Sequence, residues 1–296
     1  MFSKILKWMW DKLSEEKHDR IKKILINSAS FRNLVSILRP NIVKVKGNKM
    51  YIDTKRNPAI ALYDIGGYEN AETELFESHI KEGDVVMDIG ANIGYYTLVA
   101  AKLVGANGKV YAFEPESINF SFLKKSVEIN NYENVICEKK AVSNENGKLK
   151  LFLHKFQTGA YTLVGGGDNY VEVETVKLDD YFKDKNSRVD VIKMDIEGAE
   201  GLALKGMEKI LNENKDIKFF SEIIPKQLEK TGISAKDYLD ILTNAGFSIY
   251  EIVEEKDKSH LKLIQPSEFS EFIHLITLKP HPLTNIFCKR EDKNVT

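Results

Sequence analysis

Apolar residues recur along this chain first at helical and then at alternating spacing, and the switches between the two lay out a series of helices and strands. Over residues 1–13, Phe2, Ile5, Leu6, Met9, Trp10 and Leu13 fall on one side, with Lys4, Lys7, Asp11 and Lys12 opposite, which predicts an amphipathic helix. Val43 and Val45, then Met50 and Ile52, alternate with polar residues about a Gly47-Asn48 turn, which predicts a β-hairpin. Further on, helical spacing predicts helices over 72–80, 95–103, about 120–127, 202–211 and 235–245. Apolar runs predict strands at 85–87, 110–113, 135–137, 189–194, 219–223, 249–253 and 273–278. Such alternation implies a doubly wound, mostly parallel α/β sheet with one antiparallel strand near the C-terminus, and a ligand crevice beyond the carboxyl ends of the strands. A β-rich excursion over 148–176 suits a wall above the strand tips, with Gly165-Gly166-Gly167 as a turn or hinge. The organisation expected is a helical and hairpin extension over 1–68, an α/β domain over 69–280, and a loose polar tail over 281–296.

Composition narrows the classes. Lys plus Arg (43) nearly balances Asp plus Glu (44), a net charge of -1, so no basic field points to nucleic acid. Cys137 and Cys288 lack metal or disulfide spacing. No apolar run is long enough to span a membrane, which predicts a cytoplasmic protein. The basic amphipathic helix at the start suits packing on its own domain or a partner, and it equally suits peripheral contact with the inner membrane face.

The segment VVMDIGANIGYYT, residues 85–97, carries the clearest chemistry. An apolar strand ends at Asp88, Gly90 and Gly94 let the backbone turn, and a helix opens near Tyr95 with unpaired N–H groups aimed at whatever lies there. A second run ends in Glu114-Pro115, where an acidic side chain is placed to accept hydrogen bonds from ribose hydroxyls. Dinucleotides need G-x-G-x-x-G, but Asn92 and Tyr95 stand at the two later positions, and no phosphate-gripping G-x-x-x-x-G-K-[ST] segment exists. Adenosine joined to a small zwitterion fits what remains, and S-adenosylmethionine is such a ligand. Strand–turn–helix units with these glycines also occur for packing alone.

These residues, together with KVYAFEPE (109–116), KAVSNENGKLKL (140–151), ETVKLDDY (174–181) and VDVIKMDIEGAE (189–200), resemble the FkbM-type S-adenosylmethionine-dependent methyltransferases in order and spacing. The resemblance covers about residues 69–225. It implies a class I methyltransferase (Rossmann-like) fold and O-methylation of a hydroxyl on a sugar, glycan or glycolipid-like acceptor. It further implies Asp88, Gly90, Ala91, Asn92 and Gly94 around the methionine moiety, Glu114 and Pro115 at the ribose, and Ala141 and Val142 near adenine. Asp195 with its following residues would lie beside the transferring methyl, and Tyr68-Glu69 would enter the cofactor site.

Methyl transfer to an alcohol needs an oxygen held in line with the methyl–sulfur bond and a group to take its proton. Asp195 closes the fourth strand, Glu197 follows two residues later and Glu222 closes the fifth, so all three are candidates for one crevice. Asp195 equally suits fixing the turn, and Glu197 and Glu200 equally suit the start of the next helix. Asp195 and Glu222 would also suit a divalent cation, although no His completes a recognisable set. His154, in the excursion, is a further candidate facing the acceptor. Two other classes fit parts of the pattern: an NAD-dependent oxidoreductase, favoured by Glu114 but not by the loop, and a non-catalytic protein retaining the fold.

Overall fold

The computed structural model describes residues 41–53, 70–153, 161–163, 165–166, 168–184, 188–255 and 258–291. The expected helix over 1–13, and Tyr68, Glu69 and His154, lie outside the described residues. In chain order the elements are β1 (Ile42–Val45), β2 (Asn48–Tyr51), α1 (Asn70–Ser78), β3 (Val85–Ile89), α2 (Tyr95–Val104), β4 (Lys109–Phe113), α3 (Ser117–Ile129), β5 (Val135–Glu138), β6 (Ala141–Val142), β7 (Gly147–Phe152) and β8 (Tyr170–Val176). There follow α4 (Leu178–Tyr181), β9 (Val191–Met194), α5 (Glu200–Lys205), α6 (Glu208–Glu213), β10 (Lys218–Ile223), α7 (Pro225–Leu228), α8 (Ala235–Asn244), β11 (Ser248–Glu255), β12 (Lys258–Ile264), α9 (Phe269–Thr277) and β13 (Thr284–Lys289).

Eight strands form one sheet in the order β12-β11-β13-β10-β9-β3-β4-β5. Neighbours from β10 to β5 pair in parallel, whereas β13 is antiparallel to both β10 and β11, and β12 is antiparallel to β11. The result is a doubly wound, Rossmann-like architecture, with two reversed strands where one was expected. Because both faces are covered, β3 is apolar almost throughout: Val86 packs on the side of the hairpin and α2, and Met87 and Ile89 pack on the side of α4–α9. Val43, Met50 and Ile52 of the hairpin are buried in the first of those layers. Its turn is Lys46-Gly47 rather than Gly47-Asn48, with φ of 49° and 88°, since strand twist selects a two-residue turn whose central residues both have positive φ.

Three expectations near the C-terminal half change. The helix expected over 202–211 is two short helices broken at Gly206, where a Cβ would stand 2.0 Å from the Ser143 carbonyl oxygen. The strand expected over 273–278 is helix α9: Phe269, Phe272 and Ile276 form a buried stripe at helical spacing, outweighing the local β-branched character. The closing strand is instead β13, inside the segment expected to be a loose tail, where Ile286, Phe287 and Cys288 are wholly buried between β10 and β11.

The excursion after β5 folds as a small sheet in the order β6-β8-β7, with β7 and β8 antiparallel and Phe152 bridging to Thr162. Leu151 of β7, with Tyr161 and Leu163 of the segment bridged to it, forms one wall of a cleft over the carboxyl ends of the parallel strands.

Candidate active site

Strand order reverses direction at β3 and β9, and there the two strand ends touch. The Asp195 N–H donates to the Ile89 carbonyl at 3.0 Å, and a Cβ on Gly90 would stand 1.9 Å from the Asp195 carbonyl oxygen. Gly90 is therefore required first by contact between strand ends, at a φ of 87° that only glycine adopts freely. Its N–H and that of Ala91 donate to the Phe113 carbonyl at 3.0 and 2.9 Å, tying the loop to the tip of β4.

The next side chain, Glu114, accepts from the Asn92 N–H through Oε2 at 2.9 Å and from the Glu116 N–H through Oε1 at 2.8 Å. Burial pushes its carboxyl up to about 8, against the lowering effect of those two N–H groups. Asp88 is turned away from the cleft: Thr97 of α2 donates to its Oδ2 at 2.5 Å, and burial raises it to about 6. Asp88, Ala91 and Gly94 thus shape the turn, whereas Gly90, Asn92, Glu114, Pro115, Ala141, Val142, Asp195 and Glu197 line the cleft itself.

Phe113, Asn119, Lys140, Leu151, Tyr161, Leu163 and Ile196 complete the lining of this solvent-open cleft. Three features fit S-adenosylmethionine. Asn92 Oδ1 is sealed from solvent and accepts no hydrogen bond, an acceptor left open beside the loop, and each Glu114 oxygen retains a second lone pair for a hydroxyl. Ala141, Val142 and Leu151 give an apolar surface for an aromatic base.

The second half of the site is acidic. One carboxylate oxygen each from Asp195, Glu197 and Glu222 lies within 4.8 Å of the other two. Asp195 follows β9 and Glu222 is the penultimate residue of β10; the two strands pair in parallel with Ser221 opposite Met194, so the register brings the two carboxylates side by side. Glu197 joins them through a left-handed backbone, φ 53°, in a turn secured by the Thr162 hydroxyl donating to its carbonyl at 2.6 Å. Beneath the turn, Glu200 is 1% exposed and accepts from the Ile196 and Gly198 N–H groups at 3.1 and 3.2 Å. Burial, followed by the charge of Asp195, raises Glu197 to about 8 and pushes Glu222 well above the usual carboxylate range; burial likewise raises Glu200 to about 7.

One component escaped the sequence reading. Lys193, 2% exposed on β9, stands 3.0 Å from Glu72 of α1, whose other oxygen accepts from Asn285 at 2.7 Å. It lies opposite both Asp88 and Phe220 in register, on the face that continues to Asp195, and its charge lowers Asp88 and Glu222 against their burial. A lysine inside the apolar run VIKM is the sequence signal for such a buried pair.

Residues 88–249, more than half of the chain, match the family model of the methyltransferase FkbM domain. The chain belongs to the FkbM methyltransferase family. That membership overturns the oxidoreductase alternative. Among relatives, Methyltransferase 1 of Beauveria bassiana is 25% identical over 145 residues, 42% of this chain and 58% of that protein. The chain therefore spans less than two thirds of that relative's length. Methyltransferase sdnD of Sordaria araneosa is 26% identical over 175 residues, 46% of this chain and 67% of that protein. A solved structure of methyltransferase FkbM from Methylobacillus flagellatus superposes with a TM-score of 0.43 at 14% identity, over 78% of this chain and 52% of that one. Among the described residues no helix is long and apolar enough to cross a membrane.

Proposed function

We propose that this FkbM methyltransferase O-methylates a hydroxyl of a sugar or glycan-like acceptor, held among Asp195, Glu197 and Glu222. The observation that carries the reading is the convergence of these three carboxylates at the edge of a cleft whose other side is formed by Gly90, Asn92 and Glu114. S-adenosylmethionine, when bound, supplies a methyl group on a sulfonium whose sulfur keeps the bonding pair as the methyl passes to the acceptor oxygen. Asn92 and Glu114 serve to fix that donor, and Tyr68 and Glu69, outside the described residues, belong to the same proposal. The carboxylates orient the acceptor hydroxyl, and one of them takes its proton as the oxygen–carbon bond forms, leaving a methyl ether and a protonated carboxyl.

Asp195 is the preferred base. Its backbone meets the Gly90 loop and it lines the cleft, so it stands on the donor side of the trio. Replacing Asp195 by Asn keeps the size and removes the base, so turnover is expected to fall by roughly 100-fold while cofactor affinity changes little. The assay is transfer of labelled methyl from S-adenosylmethionine to fractionated cell glycans, read by mass spectrometry, with linkage analysis to locate the methyl ether. Undiminished turnover in both Asp195→Asn and Glu222→Gln, with chemistry limiting, rejects a carboxylate base. Methyl groups found on carbon or nitrogen reject the acceptor class.

A further inference from the structure

The spacing of the acidic trio is that of a ligand shell. Two oxygens on opposite sides of a hard divalent cation stand about 4 to 5 Å apart, and adjacent ones closer, so three oxygens mutually within 4.8 Å match positions around a single ion. Oε2 of Glu222 and Oε2 of Glu200 are both sealed from solvent and accept no hydrogen bond, a condition that costs free energy unless a proton or a cation satisfies them. Glu200 is 1% exposed, and its other oxygen is held by the N–H groups on either side of Glu197, so it lies directly under the turn carrying the trio. Lys193, whose charge reaches Glu222, is already engaged by Glu72 at 3.0 Å.

We infer that Asp195, Glu197 and Glu222 hold a hard divalent cation of the magnesium, manganese or calcium class, whose remaining coordination positions take a hydroxyl oxygen of the acceptor. An all-carboxylate set without His or Cys selects such ions over zinc or copper. Asp195 and Glu197 line the cleft, so the open side of the ion meets the acceptor. An ion using one oxygen of Asp195 leaves the other to receive the acceptor's proton. The inference rests on reading this cleft as the acceptor site.

Manganese is the probe, used with the full chain in calorimetry and in electron paramagnetic resonance of the free ion. One saturable Mn²⁺ per chain is expected, displaced by excess Mg²⁺. Its affinity should fall roughly tenfold or more in Asp195→Asn and Glu222→Gln, and stay unchanged in Glu172→Gln on the outer sheet. Binding of S-adenosylmethionine to each variant verifies the fold, and Glu197→Gln replaces any variant that fails this control. No saturable Mn²⁺ site in the wild type, or equal affinity in the folded variants, overturns the inference. If S-adenosylmethionine still binds and methyl transfer proceeds in that case, the proposed function survives without the ion.

Discussion

Both oxygens of Glu114 are engaged by backbone N–H groups, so this side chain braces the loop at Asn92 as well as facing the cleft. Its removal leaves two donors unpaired and takes away the acceptor proposed for the ribose, each loss being about 1–3 kcal/mol. Glu114→Ala is expected to weaken S-adenosylmethionine binding by roughly 10- to 100-fold, with Glu114→Gln between it and the parent; calorimetry measures both. Equal affinity in the Ala variant removes Glu114 from the ribose. Much at this scale could be read from the chain, since an acidic strand end and a glycine turn announce themselves by position. Which atom each residue serves could not. Asp88 ends its strand as expected yet is taken up by Thr97, and Lys193 finds Glu72 across a long stretch of sequence that no local pattern connects.

At the scale of elements, the parallel half of the sheet was legible because buried strands there are short apolar runs bounded by turns. The antiparallel end was not. In TNIFCK only the centre is apolar, and the strand is recognisable by its place between β10 and β11 rather than by its composition. For α9 the signal was present in Gln265 and Glu268, a reciprocal capping box just before the helix, but the β-branched run that follows pulled the expectation toward strand. Just beyond β13, Arg290 ties neighbouring helices together: its Nη1 and Nη2 donate to the Asn214 and Leu211 carbonyls at 2.9 and 2.6 Å, and its Nε donates to the Ala245 carbonyl at 2.9 Å. It thereby closes the carboxyl ends of α6 and α8 with one planar fork. A lysine cannot span those three carbonyls, so Arg290→Lys should lower thermal stability by about 1–3 kcal/mol, measured by denaturant melts, with little change in cofactor affinity. Stability equal to the parent's assigns those ends to other partners.

For the molecule as a whole, buried carboxyls near the cleft make the fold sensitive to pH. Asp88 is raised to about 6 and Glu114 to about 8, whereas both titrate near 4 when the chain is unfolded. Between those values the folded chain binds more protons than the unfolded one. The stability they contribute is thus full below about pH 4 and is lost as pH rises through 6 and then 8. The ligand-free protein should melt at a lower temperature at about pH 8.5 than at about pH 5.5, and Glu114→Gln should flatten the upper part of that profile. A melting temperature that rises over this range shows that the two groups are ionised in the fold. The sheet order carries another consequence, for synthesis. β13 follows β11 and β12 in the chain but stands between β10 and β11, so a growing chain that has finished β12 presents two bare strand edges, one on either side of a missing neighbour. At ribosomal speeds of roughly 5–20 residues per second, that gap stays open for seconds before its own strand arrives, and it is during this wait that the nascent protein most needs a chaperone.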